Sequence, residues 1–148
     1  MTLWYLAHIL GFTLWLGGGL AGMAIGIKGK QEERSAQALI VRQLGFIHQI
    51  LLLPGIVLTI ASGAVLTMPA MRQPSPSAWL YVMQLGGVIA AILVIFVSIP
   101  TLGRLQRVSP VGETAPRFDA LRKRQSVSGM IAGNLGLLAL LAGVLTKY

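Results

Sequence analysis

Four long apolar runs divide the chain, at roughly residues 3–27, 44–67, 79–102 and 127–145, and none contains Asp, Glu, Lys or Arg. A helix needs about 20 apolar residues to cross the hydrocarbon core of a bilayer, so each run predicts a transmembrane helix. The first run has no basic segment before it and is longer than the apolar core of a secretory signal, so it reads as a span and not a leader. Three short polar segments separate the runs. Lys28–Gln43 is charged and is expected to carry the start of helix two into water. Pro69–Ala78 is rich in proline and serine and predicts an irregular loop. Gly103–Arg124 holds Pro110, Gly112 and Pro116 ahead of a basic stretch that enters the fourth helix. None is long enough for a second domain. The expected fold is all-α: one polytopic membrane four-helix bundle over residues 1–148.

Composition and charge narrow the class. Hydrophobic residues make up 55% of the chain and charged residues 11%, with a mean hydropathy of +0.75; a soluble domain carries about 25% charged residues. The net charge of +8 would suit a nucleic-acid binder, but the basic side chains lie in short segments between apolar runs. That arrangement predicts contact with anionic membrane lipids and no nucleic-acid partner. Lys28, Lys30, Arg34, Arg42, Arg104, Arg107, Arg117, Arg122, Lys123 and Arg124 fall in the first and third linkers, and only Arg72 and Lys147 fall on the other side. The asymmetry predicts that those linkers face the cytoplasm and both termini face out (N-out/C-out) across a bacterial-type inner membrane. Trp4, Tyr5, Trp79, Tyr81 and Tyr148 would then form an aromatic belt at the outer boundary. The chain has no cysteine, which excludes disulfides, Cys-ligated zinc and iron–sulfur clusters.

Lipid gives helices no hydrophobic reason to associate, so close packing through small residues takes over. Gly11, Gly18, Gly22 and Gly26 line the first helix, Gly87, Ala91 and Ser98 the third, and Gly129, Gly133, Gly136 and Gly143 the fourth. Such stripes either pack one bundle or dock a partner. Pro54 withholds the amide hydrogen that the Ile50 carbonyl would accept and predicts a kink in helix two, with Thr59 and Ser62 available to satisfy backbone groups nearby. Trp4 and Trp79, and the pairs Arg42-Gln43 and Arg124-Gln125, open corresponding helices of two hairpins. Aligned on these anchors, a weak internal repeat sets Met83 opposite His8 and Met130 opposite His48.

His8 and His48 are the only histidines, and both lie within spans. An ionisable side chain inside a membrane marks a candidate functional site, and neutral imidazole is a ligand for haem iron and other metals. His8 shares a helical face with Trp4, Gly11, Trp15 and Gly22. A glycine beside the histidine and an aromatic wall in Trp15 suit a flat macrocycle; a histidine hydrogen-bonded to a neighbouring helix would leave the same pattern. With Trp15 and Gly55 near the midplane, His8 and His48 differ in depth by roughly 20 Å, so the two would not ligate one iron within one protomer. Ser62, Met83 and Gln84 fall near the depth of His8, Met83 as a candidate sixth ligand and Gln84 as a hydrogen-bond partner or substrate contact. Arg42 lies near His48, either pairing with a propionate or lipid phosphate or snorkelling to the boundary.

His8-x6-Trp15 followed by Gly17-Gly18 resembles the first helix of the HemJ and CopD superfamily of small membrane proteins and of related uncharacterised four-helix families. Arg42, then Pro54-x4-Thr59-x3-Gly63, is similar to the second helix of HemJ-type proteins, and Trp79 opens the third span in the same manner. The resemblance implies a helical bundle with a haem site, His8 as the haem-ligand candidate and Arg42 as its polar partner. HemJ-type proteins act as protoporphyrinogen oxidases, and CopD-type proteins are linked to copper uptake or resistance. One departure stands out: HemJ-type proteins carry a lysine early in the third span, and the stretch Trp79 to Leu85 has none.

Three functions are therefore expected in turn. The first is a membrane protein binding b-type haem for redox or porphyrin chemistry. The second is a non-enzymatic accessory subunit of a larger respiratory or photosynthetic complex, or a homo-oligomer. The third is a copper or metal transport component, for which the scattered methionines offer little, since soft copper sites need clustered ligands. Glu32, Glu33, Glu113 and Asp119 are the only acids and all lie in linkers, so no catalytic residue is assigned and any enzymatic role would lean on the cofactor.

Overall fold

The computed structural model describes residues 2–145; Lys147 and Tyr148, counted above in the outer charge and the aromatic belt, lie outside them. Four helices follow one another: α1 (Thr2–Lys28), α2 (Gln37–Met71), α3 (Ala78–Leu105) and α4 (Gly112–Leu145), each long and apolar enough to cross a membrane. The described residues contain no strand. The all-helical expectation and the four spans agree with this architecture. One end of the bundle carries the start of α1 and the 72–77 turn, here the terminal end. The other carries the linkers at 29–36 and 106–111, here the basic end.

Two of the predicted linkers are shorter than expected because helix continues into them. Pro69, Ala70 and Met71 complete the last turn of α2. α3 runs on to Leu105, and α4 begins well before its apolar run. Gly112 makes the corner with a φ of +75°, a left-handed conformation that costs glycine little. Pro116 sits in the first turn of the long helix, where a missing amide hydrogen goes unused. Likewise α2 starts at Gln37, as the charged first linker predicted.

Pro54 is accommodated by a π-helical turn. Over His48–Leu52 the amide of Leu53 reaches back five residues to the His48 carbonyl. The same device recurs in α3, where Val94–Ser98 forms a π-turn directly before Pro100 and the Ile99 amide bonds the Val94 carbonyl. One extra residue in a turn widens the helix, and such bulges are common at functional sites.

α1 packs closely on α2, and α3 on α4. The reason is visible at the glycines. A Cβ on Gly55 would fall 2.5 Å from the Trp15 backbone nitrogen and 2.8 Å from the Gly11 carbonyl oxygen, so α1 and α2 touch backbone to backbone. Gly18 leaves room for Leu51 and Leu52 in the same way, and Gly86 faces Leu135 and Ala139 across the second hairpin. Trp15, Leu52, Ile56, Ala90, Ala91, Val94 and Ala132 then form a core drawn from all four helices. Other members of the predicted stripes meet nothing: Gly26, Gly87, Gly129 and Gly133 have open space where a side chain would be. Phe96 and Leu141, 70% and 61% exposed, are two of many large apolar side chains turned outward, as lipid-facing surface requires.

The basic end is closed by a second cluster, Val41, Leu102, Leu105 and Phe118, and by polar clamps. Arg34 donates two hydrogen bonds to the Asp119 carboxylate, both at 2.8 Å. Arg122 donates to the Gln37 side-chain oxygen at 2.7 Å, and Gln37 in turn donates to the Glu32 carbonyl. Asp119 lies in the basic extension of α4, ahead of its apolar run. Its carboxyl is held below the ordinary carboxylate range chiefly by the Arg34 hydrogen bonds; desolvation opposes them, and the charges of Arg34 and then Arg122 add to the lowering.

Candidate functional site

His8 reaches across from α1 to α2. Its Nδ1 lies 3.1 Å from the Thr59 carbonyl oxygen and 3.1 Å from the Ser62 hydroxyl. A carbonyl only accepts, and the Ser62 hydroxyl is already donated to the Leu58 carbonyl. Nδ1 therefore carries a proton, and in the neutral imidazole Nε2 keeps its lone pair. Gly63 makes the approach possible: a Cβ there would lie 3.0 Å from the imidazole Cε1 and 3.4 Å from Nδ1. Thr59-x3-Gly63 is thus a cradle, a carbonyl and a gap one turn apart. No hydrogen-bond partner for His8 Nε2 is found among the described residues.

His48 has the same tautomer in a different setting. Nδ1 donates to the Leu44 carbonyl of its own helix at 2.8 Å, and Gln125 of α4 presents its amide nitrogen to Nε2 at 3.4 Å. The Gln125 side-chain oxygen is buried and has no partner among the described residues. His48 also borders a cavity of about 120 Å³ between α2 and α3, with Gln49, Gly103 and Gln106 among its walls. Thr59 stands eleven residues beyond His48 on α2, a rise of roughly 16 Å, so the two imidazoles belong to separate sites, as their predicted depths require.

The other predicted residues scatter. Trp15 is buried in the central core, two turns along α1 from His8. Gly11, expected to leave room for a macrocycle, is filled by Leu58 and Thr59. Met83 packs its sulfur against Gly143 of α4, and Gln84 donates to the Thr67 hydroxyl of α2 at 2.7 Å; neither meets His8. Arg42 is exposed near the basic end, and the ion pair there is Arg34 with Asp119. Met130, set opposite His48 by the internal repeat, is 54% exposed. At the terminal end His8 rests on Gly63 and Met83 on Gly143, but the repeat's anchors do not pair these two glycines. Among the described residues no three His, Cys, Asp or Glu side chains come together as a metal site.

Sequence reasoning missed one partner and did not join two others to His8. Gln125 was visible only as half of a repeated Arg-Gln pair, and nothing in its spacing ties it to His48. The sequence offers Thr59 and Ser62 as partners for backbone freed by Pro54 and sets Ser62 near the depth of His8; their role under His8 depends on the rotation of α1 against α2, which only the glycine contacts fix. No family model, no curated protein and no solved structure matches the chain.

Proposed function

We propose that this is a multi-pass protein of a bacterial-type cytoplasmic membrane, with the basic end in the cytoplasm and the termini outside, that holds a b-type haem through His8. One observation carries the reading: His8 donates Nδ1–H to a backbone carbonyl and leaves Nε2 without a partner. Metal-ligating histidines are oriented in this way, the outer hydrogen bond fixing both tautomer and ring plane. His48 is the weaker candidate, because Gln125 already faces its Nε2. The resemblance of His8-x6-Trp15 and Thr59-x3-Gly63 to HemJ-type helices supports the same choice. Haem would supply one-electron or porphyrin redox chemistry; the chain's part is to hold and orient the ligand from Thr59, Ser62 and Gly63 at the half-buried rim of the bundle.

The test is a reduced-minus-oxidised visible spectrum of the detergent-purified protein. We expect Soret and α bands that disappear in His8→Ala and persist in His48→Ala. A colourless wild-type protein, or bands lost only with His48, would sink the assignment. A second reading, an accessory subunit, draws on the open α4 face, where Gly129 and Gly133 meet nothing and Asn134 is exposed. Small-xxx-small faces of this kind bring transmembrane helices together. Extraction from native membranes in lipid nanodiscs as a lone chain would remove that support.

A further inference from the structure

The seam between α2 and α3 holds two hollows in line. The first, beside the π-turn of α2, is lined by Gly45, His48, Gln49, Leu102, Gly103 and Gln106 among others. The second is larger, about 420 Å³, and its walls are Ile56, Val57, Ile60 and Ala61 from α2 with Val88, Ala91, Ile92 and Ile95 from α3. Residue numbers rise along α2 and fall along α3 from the first hollow to the second, so the two lie end to end along one seam, from the basic end toward the middle of the bundle. Its polar groups are confined to the basic end, and the remainder is aliphatic. Both π-turns, with Pro54 and Pro100, lie at the junction.

We propose that this groove binds an isoprenoid quinone, its ring at His48, Gln49 and Gln106 and its chain along Ile56 to Ile95. The choice of head follows from the lining. It has two glutamine amides, beside an imidazole whose nitrogens already face Leu44 and Gln125, and no Lys, Arg, Asp or Glu. A phosphate head would need a cation against it, and the arginines nearby, Arg104 and Arg107, are not among the walls. A quinone ring is neutral and carries two carbonyl acceptors. Gln49 and Gln106 each bring an amide donor, and neither makes a side-chain hydrogen bond among those found in the described residues. The apolar walls suit the unsaturated chain and exclude a second polar group. This site shares no residue with His8 and its cradle, so it stands whether or not His8 binds haem.

The experiment is photolabelling of the full chain in lipid nanodiscs with a short-chain azidoquinone, followed by peptide mapping. Label is expected to concentrate on the stretches 45–61 and 88–106, to be displaced by unlabelled decyl-chain quinone, and to resist excess phosphatidylglycerol. Ala61→Phe, on an exposed position that fills the aliphatic half, and Gln49→Leu with Gln106→Leu should each cut specific labelling at least fivefold. Label spread over all lipid-facing helices, or displaced equally by phosphatidylglycerol, would overturn the quinone assignment. Because His8→Ala leaves this groove intact, unchanged labelling in that variant separates this proposal from the haem reading.

Discussion

The terminal and basic halves of this bundle each hold one histidine, and they are built on opposite principles. In the terminal half, glycine brings α1 and α2 into backbone contact, and His8 bridges them with its Nδ1 while its other nitrogen stays free. In the basic half, π-turns interrupt α2 and α3 just ahead of Pro54 and Pro100, His48 bonds within its own helix, and a glutamine from α4 faces the remaining nitrogen. The same side chain in the same tautomer is thus a ligand candidate in one place and part of a polar wall in the other. What decides is which nitrogen the surrounding helices occupy, and that depends on how closely they approach.

The contrast is most easily broken at Gly55. Its Cβ position is blocked by backbone atoms of Trp15 and Gly11, and backbone has no rotamer with which to give way. Gly55→Ala should force α1 off α2 and cost about 1–3 kcal/mol, read by reversible unfolding in mixed micelles. Gly133→Ala, where a side chain would meet open space, should change stability by less than about 0.5 kcal/mol. Equal effects at the two positions would mean that backbone contact does not set the terminal half.

How much of this was legible beforehand follows from the same contacts. The four spans were readable because hydrocarbon demands long uncharged runs, and the extension of α2 into the first linker followed from its charge. Helix ends were less readable: Pro69 and Pro116 sit inside helices, one at the end of α2 and one in the first turn of α4. The site was half legible. His8, Thr59 and Gly63 were singled out, but joining them required the rotation of α1 on α2. Apolar sequence encodes that rotation weakly, since every face of such a helix is hydrophobic. Pro54 predicted a disturbance and not its form, and Pro100 gives α3 a π-turn that no reading anticipated.

A smaller effect sharpens the description of the basic half. There the helices are joined by side chains: the Ser98 and Ser128 hydroxyls, both buried, lie 2.9 Å apart between α3 and α4. Ser128 also donates within its own helix to the Gln125 carbonyl, so losing Ser98 leaves it a partner. A double-mutant cycle of Ser98→Ala and Ser128→Ala should give a coupling energy of about 0.6 kcal/mol, the size usual for hydrogen bonds between membrane helices. Zero coupling would leave the π-turn of α3 without a polar tie to α4.

The weakest tie expected is the one at the water boundary. Arg34 and Asp119 are 50% and 41% exposed, so solvent and salt screen them, and Asp119→Asn should lower Tm by no more than a few degrees near neutral pH. Its pH dependence has a definite sign. The Asp119 carboxyl is depressed, chiefly by the Arg34 hydrogen bonds, so its contribution is complete above the ordinary carboxylate value of about 3.9. It is lost as pH falls through the lower folded-state value, where the native carboxylate takes up its proton. Arg34 is raised by the same partner; its contribution is present below the ordinary guanidinium range and would be lost only above it, beyond working alkalinity. The wild-type advantage over Asp119→Asn should therefore be flat from neutral pH down to about 4, shrink below that, and be smaller in high salt. An advantage that grew on acidification, or ignored salt, would mean that the clamp holds the first linker to α4 by packing and not by charge.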